Sequence, residues 1–276
     1  MIRTKTIVIL GLAALAAGCA ATSRSAPTAA EARPVKELRP GILEGYLPLG
    51  GAPSSLAIVP PPPTAGSTAQ ARDDEAAKAA VAQIGGPRWK QAAEDAVLKF
   101  PEAAGTFSCA IGAPVSKTET PRLYMLLHRT LTDVGFSTYP TKTKYQRPRP
   151  FMVNGAPTCS PGDEPDLRKD GSYPSGHSAI GWGWALILAE AAPDRAAEIL
   201  ARGRAFGQSR VACNVHWLSD TEEGRVMAAA TVARLHADAT FEADLAAARS
   251  EIAAARAKGL APSRDCAKEA AQLAGQ

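Results

Sequence analysis

An all-α, single-domain fold is what this sequence predicts, on three observations. Ala dominates the apolar residues, while aromatics make up only 5% and β-branched residues are sparse, a composition that favours helix over sheet. From about residue 73 onward, apolar positions recur at helical spacing in one segment after another. The length of 276 residues leaves room for one core of up to about 200 residues with appendages, because single cores stop growing near ~250 residues. With 46% hydrophobic residues the chain can bury such a core. Its 31 Lys and Arg against 27 Asp and Glu give a net charge of +4. That is too close to neutral to point to nucleic acid or an anionic membrane surface as the main partner.

From the N-terminus, residues 1–19 (MIRTKTIVILGLAALAAGC) read as a secretory signal peptide: Arg3 and Lys5, an apolar run of 11 residues from Ile7 to Ala17, then a small-residue exit. The run is short of the roughly 20 residues a spanning helix needs. Loss of Arg3 and Lys5 with this leader lowers the net charge from +4 to +2. Leu15 to Cys19 resembles a bacterial lipobox with Ala16 where Leu is usual, in which Cys19 is lipidated and becomes the only tie to the membrane. Cleavage nearby by the ordinary signal peptidase, with Cys19 removed or left free, is the alternative. Either route exports the chain, so the periplasm is the expected location.

Residues 20–72 are rich in Ala, Ser, Gly and Pro, with Pro60 to Pro63 in a row, and read as a linker or wrapping arm. Residues 73–276 read as the helical domain. Helices are expected over 73–84, 87–100, 121–134, 178–191, 194–213 and 219–258, the last broken near Ala239 and Thr240. Pro121 and Pro193 fall at helix starts, where a missing N–H costs little. Four cysteines remain after the leader: Cys109, Cys159, Cys213 and Cys266. In an exported chain an even number reads as disulfides, with three connectivities open. No Cys-x-x-Cys spacing or accompanying His suggests a metal site.

Three short blocks concentrate the charged and nucleophilic residues. The first puts Lys142, Lys144, Arg147 and Arg149 within eight residues. Pro148 and Pro150 are expected to keep it extended, and Arg suits bidentate contact with phosphate oxygens. The second, Gly171-Ser-Tyr-Pro-Ser-Gly-His177, leads into an apolar helix whose unpaired N–H groups form an anion site. There Ser175 can donate a hydroxyl, Gly176 permits close backbone approach, and His177 can protonate a departing oxygen; the plainer role for Ser175 is an N-cap. The third, Ser209 to Asp220, places Arg210 as another anion clamp and sets His216 four residues before Asp220. That spacing lets the carboxylate fix the imidazole tautomer and leave the other nitrogen free as a base or nucleophile.

Read together, Lys-x6-Arg-Pro, Pro-Ser-Gly-His and Ser-Arg-x5-His-x3-Asp resemble the three-part signature of the acid phosphatase, vanadium haloperoxidase and type 2 phosphatidic acid phosphatase superfamily. All eleven signature positions are filled: Lys142, Arg149, Pro150, Pro174, Ser175, Gly176, His177, Ser209, Arg210, His216 and Asp220. The glycine-rich block is closer to the class A bacterial non-specific acid phosphatases, with Ser178 where Thr is usual. The similarity extends over about residues 45 to 256.

The resemblance implies a helical bundle of the acid phosphatase and vanadium haloperoxidase type that hydrolyses phosphate monoesters of broad range. It implies His216 as the nucleophile that forms a phosphohistidine, Asp220 as its orienting partner and His177 as the general acid. Lys142, Arg149, Ser175, Gly176 and Arg210 are implied to hold the phosphoryl oxygens. No cofactor is implied, and vanadate is expected to inhibit. Homodimers are typical of the family. A disulfide between Cys159 and Cys213 is also implied, leaving Cys109 with Cys266. The first step needs His216 neutral and His177 protonated, which predicts an acid optimum. A vanadium-dependent haloperoxidase using the same cradle is the alternative function.

Overall fold

Runs of Ala, Leu and straight-chain residues form helices here, and Pro, Gly and short polar side chains punctuate them. The structure, a computed structural model, describes residues 35–274. The leader and the candidate lipidation site Cys19 lie outside the described residues. Lys36–Gln276 is one compact unit. In chain order it holds a small antiparallel hairpin, β1 (Glu37–Arg39) and β2 (Ile42–Leu43), and the helices α1 (Ser55–Ile58), α2 (Thr68–Val81), α3 (Pro87–Asp95), α4 (Ser108–Ile111) and α5 (Pro121–Phe136). Then come α6 (Tyr139–Tyr145), α7 (Pro150–Asn154), α8 (Glu164–Leu167), α9 (Gly176–Ala191), α10 (Ala196–Ala212), α11 (Leu218–Leu235), α12 (Ala239–Ala257) and α13 (Cys266–Leu273). The fold is all-α apart from the hairpin.

Helix α9 is apolar on nearly every side, and such a helix must be buried all round. It forms the axis of the bundle: α10 and α11 pack most extensively against it, α5 closes a third side, and α12 lies chiefly on α5. Ile180, Trp184, Ile187 and Leu188 on α9 are at most 4% exposed. The Trp184 indole donates to the Leu127 carbonyl at 3.0 Å, so its polar edge is satisfied inside the core. A methyl on Gly181 would strike the Phe206 ring, and one on Gly203 the Ala185 side chain. The two helices approach closely because each offers the other a glycine.

The long expected segment 219–258 divides into α11 and α12 as its interruption predicted, since Asp238 caps α12 by accepting from the N–H groups of Thr240 and Phe241 at 2.9 Å. Likewise Ser67 caps α2, whose start is earlier than the expected residue 73. Within the Pro-rich stretch, the residues from Lys36 on wrap the bundle. Asp133 of α5 accepts from the N–H groups of Tyr46 at 2.8 Å and Leu47 at 3.0 Å, and burial pushes this carboxyl up to about 6. The Tyr46 hydroxyl donates to Asp244 of α12 at 2.8 Å, and the Arg129 guanidinium lies 3.7 Å above its ring.

Two disulfides complete the frame, in the pairing the family resemblance implied. Cys109–Cys266 joins α4 to α13 across 157 residues. That C-terminal helix was not foreseen; it docks on α3. Cys159–Cys213 joins the loop after α7 to the end of α10.

Candidate active site

The basic block is not extended throughout, contrary to expectation. Pro140 sits in the first turn of α6, where it favours a helix, and the block turns only at Gln146, whose φ of +43° ends α6. Pro148 and Pro150 act later, shaping the short link into α7. The helix separates the four cations: Lys142 is buried at 3% exposure, whereas Lys144 is exposed and lies 5.1 Å from the Tyr145 ring. Arg149, just before α7, is buried at 1% exposure.

Arg147 has a different job. Its Nη1 donates to Asp220 Oδ1 at 2.6 Å and its Nη2 to Asp73 Oδ2 at 2.7 Å, tying α2 to α11 beneath the site. Asp73 in turn accepts from the Ser219 N–H at 2.8 Å. Neither Arg147's role nor Asp73 was identified from sequence. The block showed that cations were concentrated there, but nothing in it showed which one would face a carboxylate.

Between α10 and α11 the chain makes a tight turn through Asn214, whose φ is +61°, and presents His216. Asp220 Oδ2 accepts from the Trp217 N–H at 2.9 Å and lies 3.2 Å from His216 Nδ1. Arg149 Nη1 lies 2.9 Å from His216 Nε2 and can only donate, so Nε2 carries the lone pair and Nδ1 the proton. Burial, then the Arg149, Lys142 and Arg210 charges, push the His216 pKa well below 6.5. Asp220 is fully buried; desolvation pushes its carboxyl up and Arg147 pulls it back.

The Ser175 hydroxyl caps α9 by accepting from the Ser178 N–H at 3.2 Å, the plainer of its two expected roles, and Gly176 begins the helix. The Ser175 N–H donates to the Asp220 carbonyl at 2.9 Å, which ties this turn to the start of α11. His177 points its Nε2 at the Ala96 carbonyl just past α3, at 3.0 Å. Burial and the Arg210 charge push the His177 pKa well below 6.5, against the pull of that carbonyl. Burial and the neighbouring cations thus disfavour the charged form of both imidazoles, whereas the mechanism expected from the sequence needs His177 protonated and His216 neutral.

Arg210 on α10 is 1% exposed, and its Nε and Nη1 have no hydrogen-bond partner among the described residues. Burial and Arg149 push its pKa down to about 10. Ser209, beside it in the signature, instead donates to Asp95 of α3 at 2.6 Å and accepts from Arg88 at 2.9 Å. The sequence did not reveal this network, which positions the end of α3 that holds His177. A buried guanidinium whose donors lack partners among the described residues, close to Arg149 and His177, is chemically suited to an oxyanion.

Residues 123–242 match the family model described as the PAP2 superfamily. The non-specific acid phosphatase of Salmonella typhimurium is 46% identical over 181 residues, 65% of this chain and 72% of that protein. The non-specific acid phosphatase of Providencia stuartii is 40% identical over 209 residues, 75% of this chain and 84% of that protein. The chain belongs to the class A bacterial acid phosphatases. It is also 41% identical to the acid phosphatase of Zymomonas mobilis over 203 residues, 72% of this chain and 75% of that protein. Membership makes it a phosphomonoesterase, a hydrolase, and these relatives do not favour the haloperoxidase alternative. Among the described residues no helix of the phosphatase is long and apolar enough to cross a membrane.

Proposed function

We propose that this acid phosphatase is a periplasmic enzyme that hydrolyses a broad range of phosphate monoesters through a phosphohistidine on His216 Nε2. The observation that carries the reading is the placing of the His216 ring: Nδ1 lies 3.2 Å from Asp220 Oδ2 and Nε2 lies 2.9 Å from Arg149 Nη1, a donor only, which assigns the proton to Nδ1 and the lone pair to Nε2. When a phosphoryl group enters, the Arg149 Nη1 donor passes from Nε2 to a phosphoryl oxygen and frees the lone pair. Nε2 then bonds to phosphorus as the ester P–O bond breaks, and the departing oxygen takes the bonding pair and a proton from His177. A water next bonds to phosphorus and gives its proton to His177 while the N–P bond breaks, releasing orthophosphate.

His177 reaches its acidic form through the substrate. Burial first, and then Arg210, His216 and Arg149, depress it, and a phosphate anion placed among those cations opposes their field. With Nε2–H donated to the Ala96 carbonyl, Nδ1 is the ring nitrogen left for the leaving oxygen. Lys142, Arg149 and Arg210 supply the neutralising charge that phosphoryl transfer requires, so the reading calls for no cofactor. The bound moiety is the phosphoryl group alone, which suits a broad range of esters. Both disulfides fit export into an oxidising compartment, and a lipid on Cys19 would hold the enzyme at the envelope.

The test is hydrolysis of p-nitrophenyl phosphate at about pH 5 to 6, where a split between two histidines is sustainable, with chelator and with orthovanadate. Turnover is expected to survive chelation and to be blocked by vanadate. His216→Ala should abolish both turnover and the phosphoenzyme trapped by an alkaline denaturing quench, in which a phosphohistidine survives. His177→Ala should spare p-nitrophenyl phosphate far more than an alkyl phosphate, because only the poor leaving group needs the proton. Phosphoenzyme formed without His216, or equal losses on both esters, would overturn these roles.

A further inference from the structure

The cations of the proposed phosphoryl site differ in how their donors are used. Arg210 has buried donors with no partner, as described, but Arg149 has none to spare. Its Nη1 serves the Val215 carbonyl at 3.0 Å and His216 Nε2 at 2.9 Å, and its Nε serves the carbonyls of Leu167 at 2.9 Å and Asp170 at 3.1 Å. Its Nη2 serves the Asp170 carboxylate at 3.0 Å and the Gly171 carbonyl at 3.4 Å. Lys142 Nζ also donates to the Gly171 carbonyl, and it meets the same Asp170 Oδ2 at 3.1 Å. One carboxylate oxygen thus bridges two buried cations that otherwise repel each other; Arg149 is the second cause, after burial, of the Lys142 pKa falling to about 8.

Asp170 differs from the buried carboxylates near the site. Asp220 and Asp73 are at most 1% exposed and locked by several donors, whereas the Asp170 side chain is 34% exposed and uses a single oxygen on both cations. It can swing into water. It also immediately precedes the Gly171 to His177 turn, whose Ser172 N–H is fixed to the Arg147 carbonyl at 2.9 Å, so the backbone can stay in place while the side chain moves. A carboxylate oxygen and a phosphoryl oxygen ask the same donors for the same charge-assisted bonds.

We propose that Asp170 is a positioning residue that acts as the internal counter-anion of the phosphate cradle. It holds Lys142 and Arg149 in register before an ester binds and competes with phosphoryl oxygens for them, so that its charge limits how tightly orthophosphate is retained. This rests on the phosphoryl-binding reading of the site. The consequence is on product release: the anion that leaves last meets a resident anion ready to replace it.

The experiment is competitive inhibition by orthophosphate of p-nitrophenyl phosphate hydrolysis, in the full exported enzyme, for wild type, Asp170→Asn and Asp170→Glu. Asn keeps an acceptor oxygen and removes the charge, so orthophosphate should inhibit at a concentration about three- to tenfold lower, the scale of one partly exposed charge near the ligand. Glu should return the constant towards wild type. A carboxylate with only a structural role predicts the opposite sign, since losing it would loosen the cradle and weaken inhibition. An unchanged or raised inhibition constant in Asp170→Asn would overturn the proposal. Asp170→Ser serves as a second charge-removing variant, and failure of both variants to fold would equally overturn it. A wild type neither active nor inhibited by orthophosphate would bring down the phosphoryl site itself. Wild-type inhibition that the variant leaves unmoved brings down only the role of Asp170.

Discussion

Replacing Arg147 with Met removes one buried cation and strands two buried carboxylates. The Arg147 side chain is 7% exposed, Asp73 1% and Asp220 0%, so water cannot take over. Breaking a buried pair from one side costs about 3–5 kcal/mol, a large share of the ~5–15 kcal/mol that holds a typical domain. At about 2–4 °C per kcal/mol for a chain of this size, the melting temperature should fall by roughly 10 °C. Activity gives the sharper test. Arg147 is the first force opposing the burial that raises the Asp220 carboxyl, so without it Asp220 takes up a proton at higher pH. In the proposed mechanism the working form needs Asp220 ionised to hold the His216 proton on Nδ1, so the acid limb of kcat is expected to move to higher pH. On the plateau, loss of the charge-assisted bond to Asp220, worth about 1.5–3 kcal/mol, should lower kcat about ten- to 150-fold. The assay is kcat from about pH 4 to 8 on p-nitrophenyl phosphate, well below both melting transitions, with Arg147→Lys expected to recover part of the effect. A variant that melts earlier but keeps its acid limb in place would refute the reasoning and make Arg147 a purely structural tie.

Two further outcomes follow from how the turns around the site are held. In Gly224→Ala the new methyl would lie 2.6 Å from the Ser175 carbonyl oxygen and 3.1 Å from the Ser178 Cβ, so backbone must shift at the turn that starts α9. We expect at least a tenfold loss of kcat, the scale of a misplaced catalytic group; a folded variant with unaltered kcat would show that this contact does not set the geometry. The two disulfides should separate stability from activity. Cys109→Ser with Cys266→Ser should cost about 2–5 kcal/mol in denaturant unfolding and leave kcat at 25 °C nearly intact. Cys159→Ser with Cys213→Ser should lower kcat as well, because Cys213 ends α10 just before the turn that presents His216 and its carbonyl accepts from the Cys159 N–H at 3.3 Å. The reverse pattern would contradict this division.

What the sequence made legible is what local chemistry decides. Helix periodicity found α5, α9 and α10, and the break at Ala239 marked the boundary between α11 and α12, because Asp238 and its acceptor role are written in adjacent residues. The spacing of four between His216 and Asp220 survived into a direct contact for the same reason. The short helices were not legible: α4, α7 and α8 have four or five residues each and carry no full period. Long-range pairings were hidden as well. Arg147 meets Asp73 across 74 positions, and His177 meets the Ala96 carbonyl across 81, distances over which composition and spacing say nothing. Pro148 and Pro150 were read as forcing the whole basic block open, but a proline constrains itself and the residue before it, and Lys142 lies far enough upstream to be helical.

The electrostatics around the two histidines bear on the acid optimum that the proposed mechanism predicts. Burial is the first cause of depression at both imidazoles, and Arg210 and Arg149 deepen it at each. For His216 in its proposed role that is useful over the whole range, since a nucleophile must be neutral. For His177 in its proposed role it is a handicap, since a general acid must carry a proton. Lowering the pH and admitting an anion both favour the protonated form of His177, and the anion arrives only with the substrate. His216 resists the same pull because Arg149 and Lys142 are its largest charged neighbours and Nδ1 is already protonated against Asp220. In the proposed mechanism, the asymmetry that acid–base chemistry needs is therefore created by the ester itself, entering a site whose two histidines face differently charged surroundings.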